Sequence, residues 1–236
     1  MAMEPASSGD PNAPARRDDH EGDGATRGTS RMEAFADGVF AIAFTLPIFN
    51  IVLPEARSGS ALLSQHLLDI WPHYISYLLA SLIIGLYWVH HHFSGAIYRT
   101  TGHWFLIATA IFLTMIGFVA FPARVFAEHL NLPADREAAS QYLVFALAAV
   151  SLTWLLKWRV GLRRDHVDRR LDPAYIHRLN RRYRRLCAWK VTAAVLCLFS
   201  WQVGLAMAAL GLAFMVLPPE TPRYLTEAPP IEGEES

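Results

Sequence analysis

Cysteine is scarce in these 236 residues: only Cys187 and Cys197 occur, ten positions apart in one apolar stretch. That excludes a disulfide framework and a cysteine-rich metal site. Charge is scarce too, at 18% of residues against 53% hydrophobic, and the mean hydropathy of +0.23 is too high for a typical soluble domain. No H-x-x-x-H pair occurs, and no cysteine or carboxylate sits at ligand spacing. Consecutive helical residues diverge by roughly 100°, so His90, His91 and His92 do not converge on one ion, and no metal site is expected. The chain also lacks a Ser-His-Asp order, a glycine-rich phosphate loop and paired intramembrane carboxylates, which argues against an enzyme. The first 30 residues are polar, rich in Gly, Asp, Pro and Ser, and have no apolar core of the kind a cleavable signal needs. A disordered tail is expected over 1–30, and a second over the proline-rich, acidic 219–236.

What is present is a series of long apolar runs. The first is 31–54, RMEAFADGVFAIAFTLPIFNIVLP; the second, His66–His92, is interrupted at Trp71-Pro72, which marks a membrane surface. Trp104–Pro122 forms a third and Gln141–Trp158 a fourth, with a polar loop expected at Arg124–Ser140. The apolar stretch Leu186–Leu217 would reach ~48 Å as one helix, well beyond a ~30 Å hydrocarbon core. Two tightly connected spans fit it better, with a long tilted helix as the alternative. The expected fold is therefore an all-α integral membrane protein of six transmembrane helices.

The formal net charge is zero, yet ten of the 21 basic residues are arginines between Arg159 and Arg185. Between two spans, this segment reads as a cytoplasmic connector facing anionic lipid rather than as a nucleic-acid patch. The positive-inside rule then places it, the loop at Arg99 and both termini in the cytoplasm, in a multi-pass protein of the cell (inner) membrane.

The first run carries Arg31, Glu33, Asp37, Thr45, Pro47 and Asn50, unlike a lipid anchor. An acid inside a span must face protein or water. Helical spacing gathers Phe35, Gly38, Ile42, Thr45 and Phe49 into one stripe with Asp37 off it. Such a stripe reads equally well as packing surface or as the lining of a pore. The second helix returns His90, His91 and His92, with Trp88 one turn away, to the depth of Asp37, so an Asp–His or Asp–Trp hydrogen bond is expected. Asp37 is then a static helix clamp or a proton-sensitive gate, and its place off the stripe favours the clamp.

The pattern R-x-x-x-F-x-D-G-V-F-A-I-A, from Arg31 through Phe35 and Asp37, resembles the first-helix signature of the transmembrane-protein-175 family, potassium channels of endolysosomes and prokaryotes. The resemblance implies a six-helix channel unit over about 31–218, assembled as a homotetramer with the first helix of each subunit lining the pore. It implies a gate at Ile42, a hydroxyl layer linked to potassium preference at Thr45, and Trp88, His91 and His92 as part of a shared core. The expected function is a potassium-permeable, potassium-preferring cation channel. It would have a hydrophobic constriction and no cofactor beyond the permeating K⁺. The alternatives are a secondary transporter, a proton-permeable membrane protein or a non-conducting scaffold. No T-V-G-Y-G filter occurs, so weaker discrimination against sodium is expected. Three departures stand out. Ala36 occupies the family's serine position, Pro47 stands where leucine is usual, and Phe49 is bulkier than the residue many relatives carry there.

Overall fold

The computed structural model describes residues 27–52, 63–163, 166–168, 170–218 and 220–225. Residues 1–26 and 226–236 of the expected tails, and 54–62 of the first loop, lie outside the described residues. The architecture is almost wholly helical. Helix α1 (Ser30–Thr45) continues as a 3-10 segment, Leu46–Asn50, and a short α2 (Leu63–Asp69) precedes α3 (Trp71–Gly95). Then follow α4 (His103–Phe118), α5 (Ala120–His129), α6 (Arg136–Gly161), α7 (Pro173–Cys197) and α8 (Trp201–Val216). Among the described residues four stretches are long and apolar enough to cross a membrane: Ser30–Asn50, Trp71–Gly95, His103–His129 and Arg136–Gly161. The outward surface bears large apolar side chains such as Leu78, Leu82, Trp104 and Phe145, as a lipid-facing bundle requires.

Proline sets several boundaries. Trp71-Pro72 opens α3, where the missing N–H costs nothing. Pro122 cannot donate to Phe118, and the chain breaks there between α4 and α5. Pro47 cannot bond to Ala43, so α1 tightens into the 3-10 segment with Pro47 buried. Pro173 opens α7 behind Asp172, whose carboxylate accepts from Ala174 N at 2.8 Å.

Two expected loops shrink. Arg124–Ser140 is helical up to His129 and again from Arg136, because Arg124 and Glu128 pair across one turn at 2.7 Å. The basic segment is not a free connector: its residues from 173 onward are the first half of α7. The apolar run Leu186–Leu217 breaks at 198–200, where Ser200 caps α8, accepting from Val203 N. Gly204 permits the close approach of the two helices, since a Cβ there would collide with Cys197.

One end of the bundle is tied together by short extended pairings. Arg27–Gly28 (β1) pairs antiparallel with Thr100–Thr101 (β2), Tyr98 bridges to Val167, and Leu171 bridges to Tyr224. Parts of both expected tails are therefore ordered structure. At the C-terminal side, Glu220 accepts from Arg178 at 3.2 Å, Leu225 N donates to Arg170 O, and Arg182 donates to the carbonyls of Leu217 and Pro218. Hydrogen bonds from Arg170 hold the Asp168 carboxyl below the ordinary carboxylate range in this layer. The starts of α1, α4 and α7 and the ends of α3, α6 and α8 all meet here.

Candidate pore-lining face and its clamp

Helix α1 is covered on one side only. Met32, Ala36, Phe40, Ala43 and Pro47, spaced by three or four residues, are buried against α3 and α4. The Phe40 ring meets His91 edge-on at 5.4 Å and Phe112 at 6.1 Å, and Thr109 donates to Met32 Sδ. Ala36 is 1% exposed, so its methyl fills a site where a hydroxyl would need a partner. The buried face is thus apolar, and Asp37 is not on it.

The stripe itself is uncovered. Phe35, Ile42 and Phe49 are 62%, 58% and 77% exposed, and Gly38 has no neighbour within 4 Å of where a Cβ would stand. Thr45 is exposed, and its hydroxyl donates back to Ala41 O at 2.9 Å and Ile42 O at 3.2 Å. With its proton spent on the helix, the Thr45 oxygen turns only lone pairs outward. Two grooves flank the stripe: one of about 450 Å³ reaches Gly117 and Arg124 past Ile42, the other of about 610 Å³ reaches Gly85 and Trp88 past Thr45.

Asp37 also lies on the exposed side of α1, at the flank nearest α3, where its Oδ1 accepts from Trp88 Nε1 at 3.1 Å. Of the two expected partners the structure selects the tryptophan. His92, exposed, packs its ring against Trp88 at 5.8 Å. His91 turns inward instead, buried among Phe40, Phe112 and Trp154, with Nδ1 3.3 Å from Lys157 Nζ. His90 faces a third way, to the Met215 carbonyl at 2.9 Å. Asp37, His91 and His92 line a polar pocket of about 420 Å³ with Glu33, so two carboxylates stand at this mouth of the α1 face. Arg31 is exposed at the start of the helix. At the other end, Arg124 donates to Asn50 Oδ1 at 3.2 Å, while Glu128 meets both Arg124 and His73.

Two buried lysines were not singled out by sequence. Lys157 lies 4.9 Å from the centre of the Trp154 ring, and Lys190 donates to Tyr87 OH at 2.8 Å and to Met215 Sδ at 3.1 Å. Tyr87 in turn shares a 2.7 Å hydrogen bond with Ser151, so one cluster links α3, α6, α7 and α8. The signal was available, because an ionisable residue inside an apolar run is a site candidate by default.

An apolar helical bundle whose helices are long enough to cross a membrane has the build of an integral membrane protein. Residues 31–120 match the family described as endosomal/lysosomal potassium channel TMEM175. A potassium channel of Chamaesiphon minutus is 33% identical over 158 residues, 66% of this chain and 77% of the relative. A potassium channel of Streptomyces collinus is 32% identical over 146 residues, 61% of this chain and 70% of its own length. The crystal structure of a lysosomal potassium-selective channel TMEM175 homolog from Chamaesiphon minutus superposes with a TM-score of 0.68 at 26% identity, covering 80% of this chain and 96% of that one. The chain belongs to the TMEM175 family, whose members are ion channels and not enzymes.

Proposed function

We propose that this chain is the subunit of a potassium-permeable, potassium-preferring cation channel. It assembles as a homotetramer around α1, with six spans and both termini on the cytoplasmic side of the cell (inner) membrane. The channel unit runs over about 31–218. One observation carries the reading: the exposed face of α1 mixes Asp37, Gly38 and Thr45 with Phe35, Ile42 and Phe49. Polar groups facing lipid are costly, so such a face calls for water or another subunit. Only 22% of the apolar stretch in Ser30–Asn50 is buried in the protomer, against 56% in Arg136–Gly161. The grooves beside the stripe leave room for a neighbouring α1. The potassium channels among its relatives support the choice of ion.

Within that arrangement four Ile42 side chains form a hydrophobic constriction that gates by dewetting. Thr45, one turn further, offers hydroxyl oxygens that replace part of an ion's hydration, and Phe49 narrows the outer end. The test is flux and bi-ionic potential in liposomes. Ile42→Asn, similar in volume but wettable, raises cation current at unchanged protein level. Thr45→Val keeps the shape, removes the hydroxyl and lowers potassium-over-sodium preference without loss of assembly. Unaltered current together with unaltered selectivity would make the stripe a packing surface. Single-channel steps, as opposed to slow saturable flux, separate the channel from a transporter.

A further inference from the structure

The arginines of α7 divide into two sets. Arg178 and Arg182 are engaged, the first with Glu220 and the second with the carbonyls of Leu217 and Pro218. Arg181, Arg184 and Arg185 share the adjacent face with Arg159 of α6, and none of these four has a hydrogen-bond or ion-pair partner among the described residues. They line a groove of about 580 Å³ between α6 and α7, and no carboxylate among the described residues lines it. Its floor is apolar, formed by Leu152, Leu155, Ala188 and Val191. The order along each helix is regular: Arg159 lies seven residues beyond Leu152, and Arg184 seven before Val191. At ~1.5 Å per residue the guanidinium groups stand roughly 10 Å above the deepest apolar positions.

We infer that this groove is a binding site for a single anionic phospholipid. Its phosphate is held by Arg159, Arg181, Arg184 and Arg185, and one acyl chain lies along Leu152, Leu155 and Val191. Guanidinium groups match phosphate oxygens in planar, bidentate geometry, and four without counter-charge at a membrane surface repel each other until an anion joins them. A soluble phosphate would satisfy the charge but leave the apolar floor empty. Basic groups over an apolar floor between membrane helices select a lipid. The site is remote from the pore face, because α7 packs chiefly on α6 and α8 whereas α1 packs on α3 and α4. The inference rests on the channel reading only for which leaflet the groove faces.

Native mass spectrometry of the purified, delipidated protein titrated with phosphatidylglycerol, phosphatidylcholine of the same chains, or glycerol phosphate tests it. Phosphatidylglycerol is expected to be retained about tenfold more tightly than phosphatidylcholine, and glycerol phosphate not to be retained. Arg181→Gln/Arg184→Gln is expected to abolish that preference. Arg163→Gln, which removes an exposed charge outside the groove, leaves it within about twofold of wild type. Ala188→Trp fills the floor without touching a charge and weakens phosphatidylglycerol to a similar degree, with an unchanged elution volume showing that the protein is folded. Equal retention of both lipids, an Arg163→Gln effect as large as that of the groove variants, or full binding by Ala188→Trp would each overturn the site. Potassium flux is measured separately on the same protein. Absence of flux with the lipid preference intact would count against the channel and not against the groove.

Discussion

Replacing Tyr87 by Phe sets two costs against each other in the α3–α6–α7–α8 cluster. Lys190 is 2% exposed, and no carboxylate lies within ion-pair reach of it among the described residues. Its Nζ relies on the Tyr87 hydroxyl, the Met215 sulfur and the Tyr87 ring, whose centre is 4.6 Å away. Interhelical hydrogen bonds in membrane proteins average only ~0.6 kcal/mol and reach ~1.7, and a charged donor belongs at the upper end. Tyr87→Phe keeps the ring, removes that bond and strips Ser151 of its partner, so it should cost about 1.5 kcal/mol. Lys190→Met is different. It forfeits the same bond and a cation–π contact of up to ~2 kcal/mol, but it also removes a buried charge whose desolvation costs several kcal/mol. The hydroxyl of Tyr87 can still donate to Ser151. Lys190→Met should therefore lie within ~1 kcal/mol of wild type or above it. In the double variant the Tyr87 cost should shrink by about 1 kcal/mol, since no ammonium is left to be deserted. Reversible unfolding in mixed micelles, followed by tryptophan fluorescence, supplies all four values. A Lys190→Met loss as large as that of Tyr87→Phe, with additive effects in the double variant, would refute the reasoning.

Asp37→Ala and Trp88→Phe should each reduce the assembled fraction on size-exclusion chromatography, whereas Asp37→Asn, which keeps an oxygen acceptor for Trp88 Nε1, should not. If Asp37→Asn assembles normally but shifts the pH dependence of current, the gate reading displaces the clamp. Gly204→Ala should prevent the close approach of α7 and α8 and lower thermal stability measurably, while Gly38→Ala, open on all sides in the protomer, should leave protomer folding unchanged. For topology, a cysteine at exposed position 163 should resist an impermeant thiol reagent in intact cells and react after lysis. Labelling from outside would overturn the cytoplasmic placement.

The spans were legible because their signal is additive: some twenty apolar residues in a row mark a helix whatever its neighbours do. The interruption at Trp71-Pro72, where α3 opens, and the division of Leu186–Leu217 into two helices followed from the same reasoning. The polar stretches were misread where helix depends on local pairing rather than apolarity. Arg124 and Glu128 extend α5 by their own ion pair. Asp172-Pro173 starts α7 inside a run that looks, by charge alone, like a loop. The Asp37–Trp88 contact was among the expected pairs, since helical register fixes depth. That His91 turns inward was not, because choosing between adjacent histidines requires knowing which side of α3 faces Lys157. Lys157 and Lys190 were masked by the apolar residues around them, although a lone basic group in such a run is the more informative residue.

The distribution of satisfied polar groups separates the molecule into two halves. In the α6–α8 half, Ser151, Lys190, Trp158 and Trp189 all have partners inside the protomer, Ser151 and Lys190 through Tyr87 of α3, Trp158 with Asn180 and Trp189 with the Met207 carbonyl. On α1 and the 3-10 segment that continues it, hydrogen bonds to other elements join Met32 to Thr109, Asp37 to Trp88, the Phe44 carbonyl to Ser81 and Asn50 to Arg124. The turns carrying Ile42 and Thr45 are otherwise held by apolar contact of the opposite face alone. A helix packed in this way keeps its register and depth, because both ends are pinned, yet leaves its exposed stripe uncovered by the described residues. In the proposed symmetric assembly, identical stripes would meet at one axis, where water or a cation would complete them.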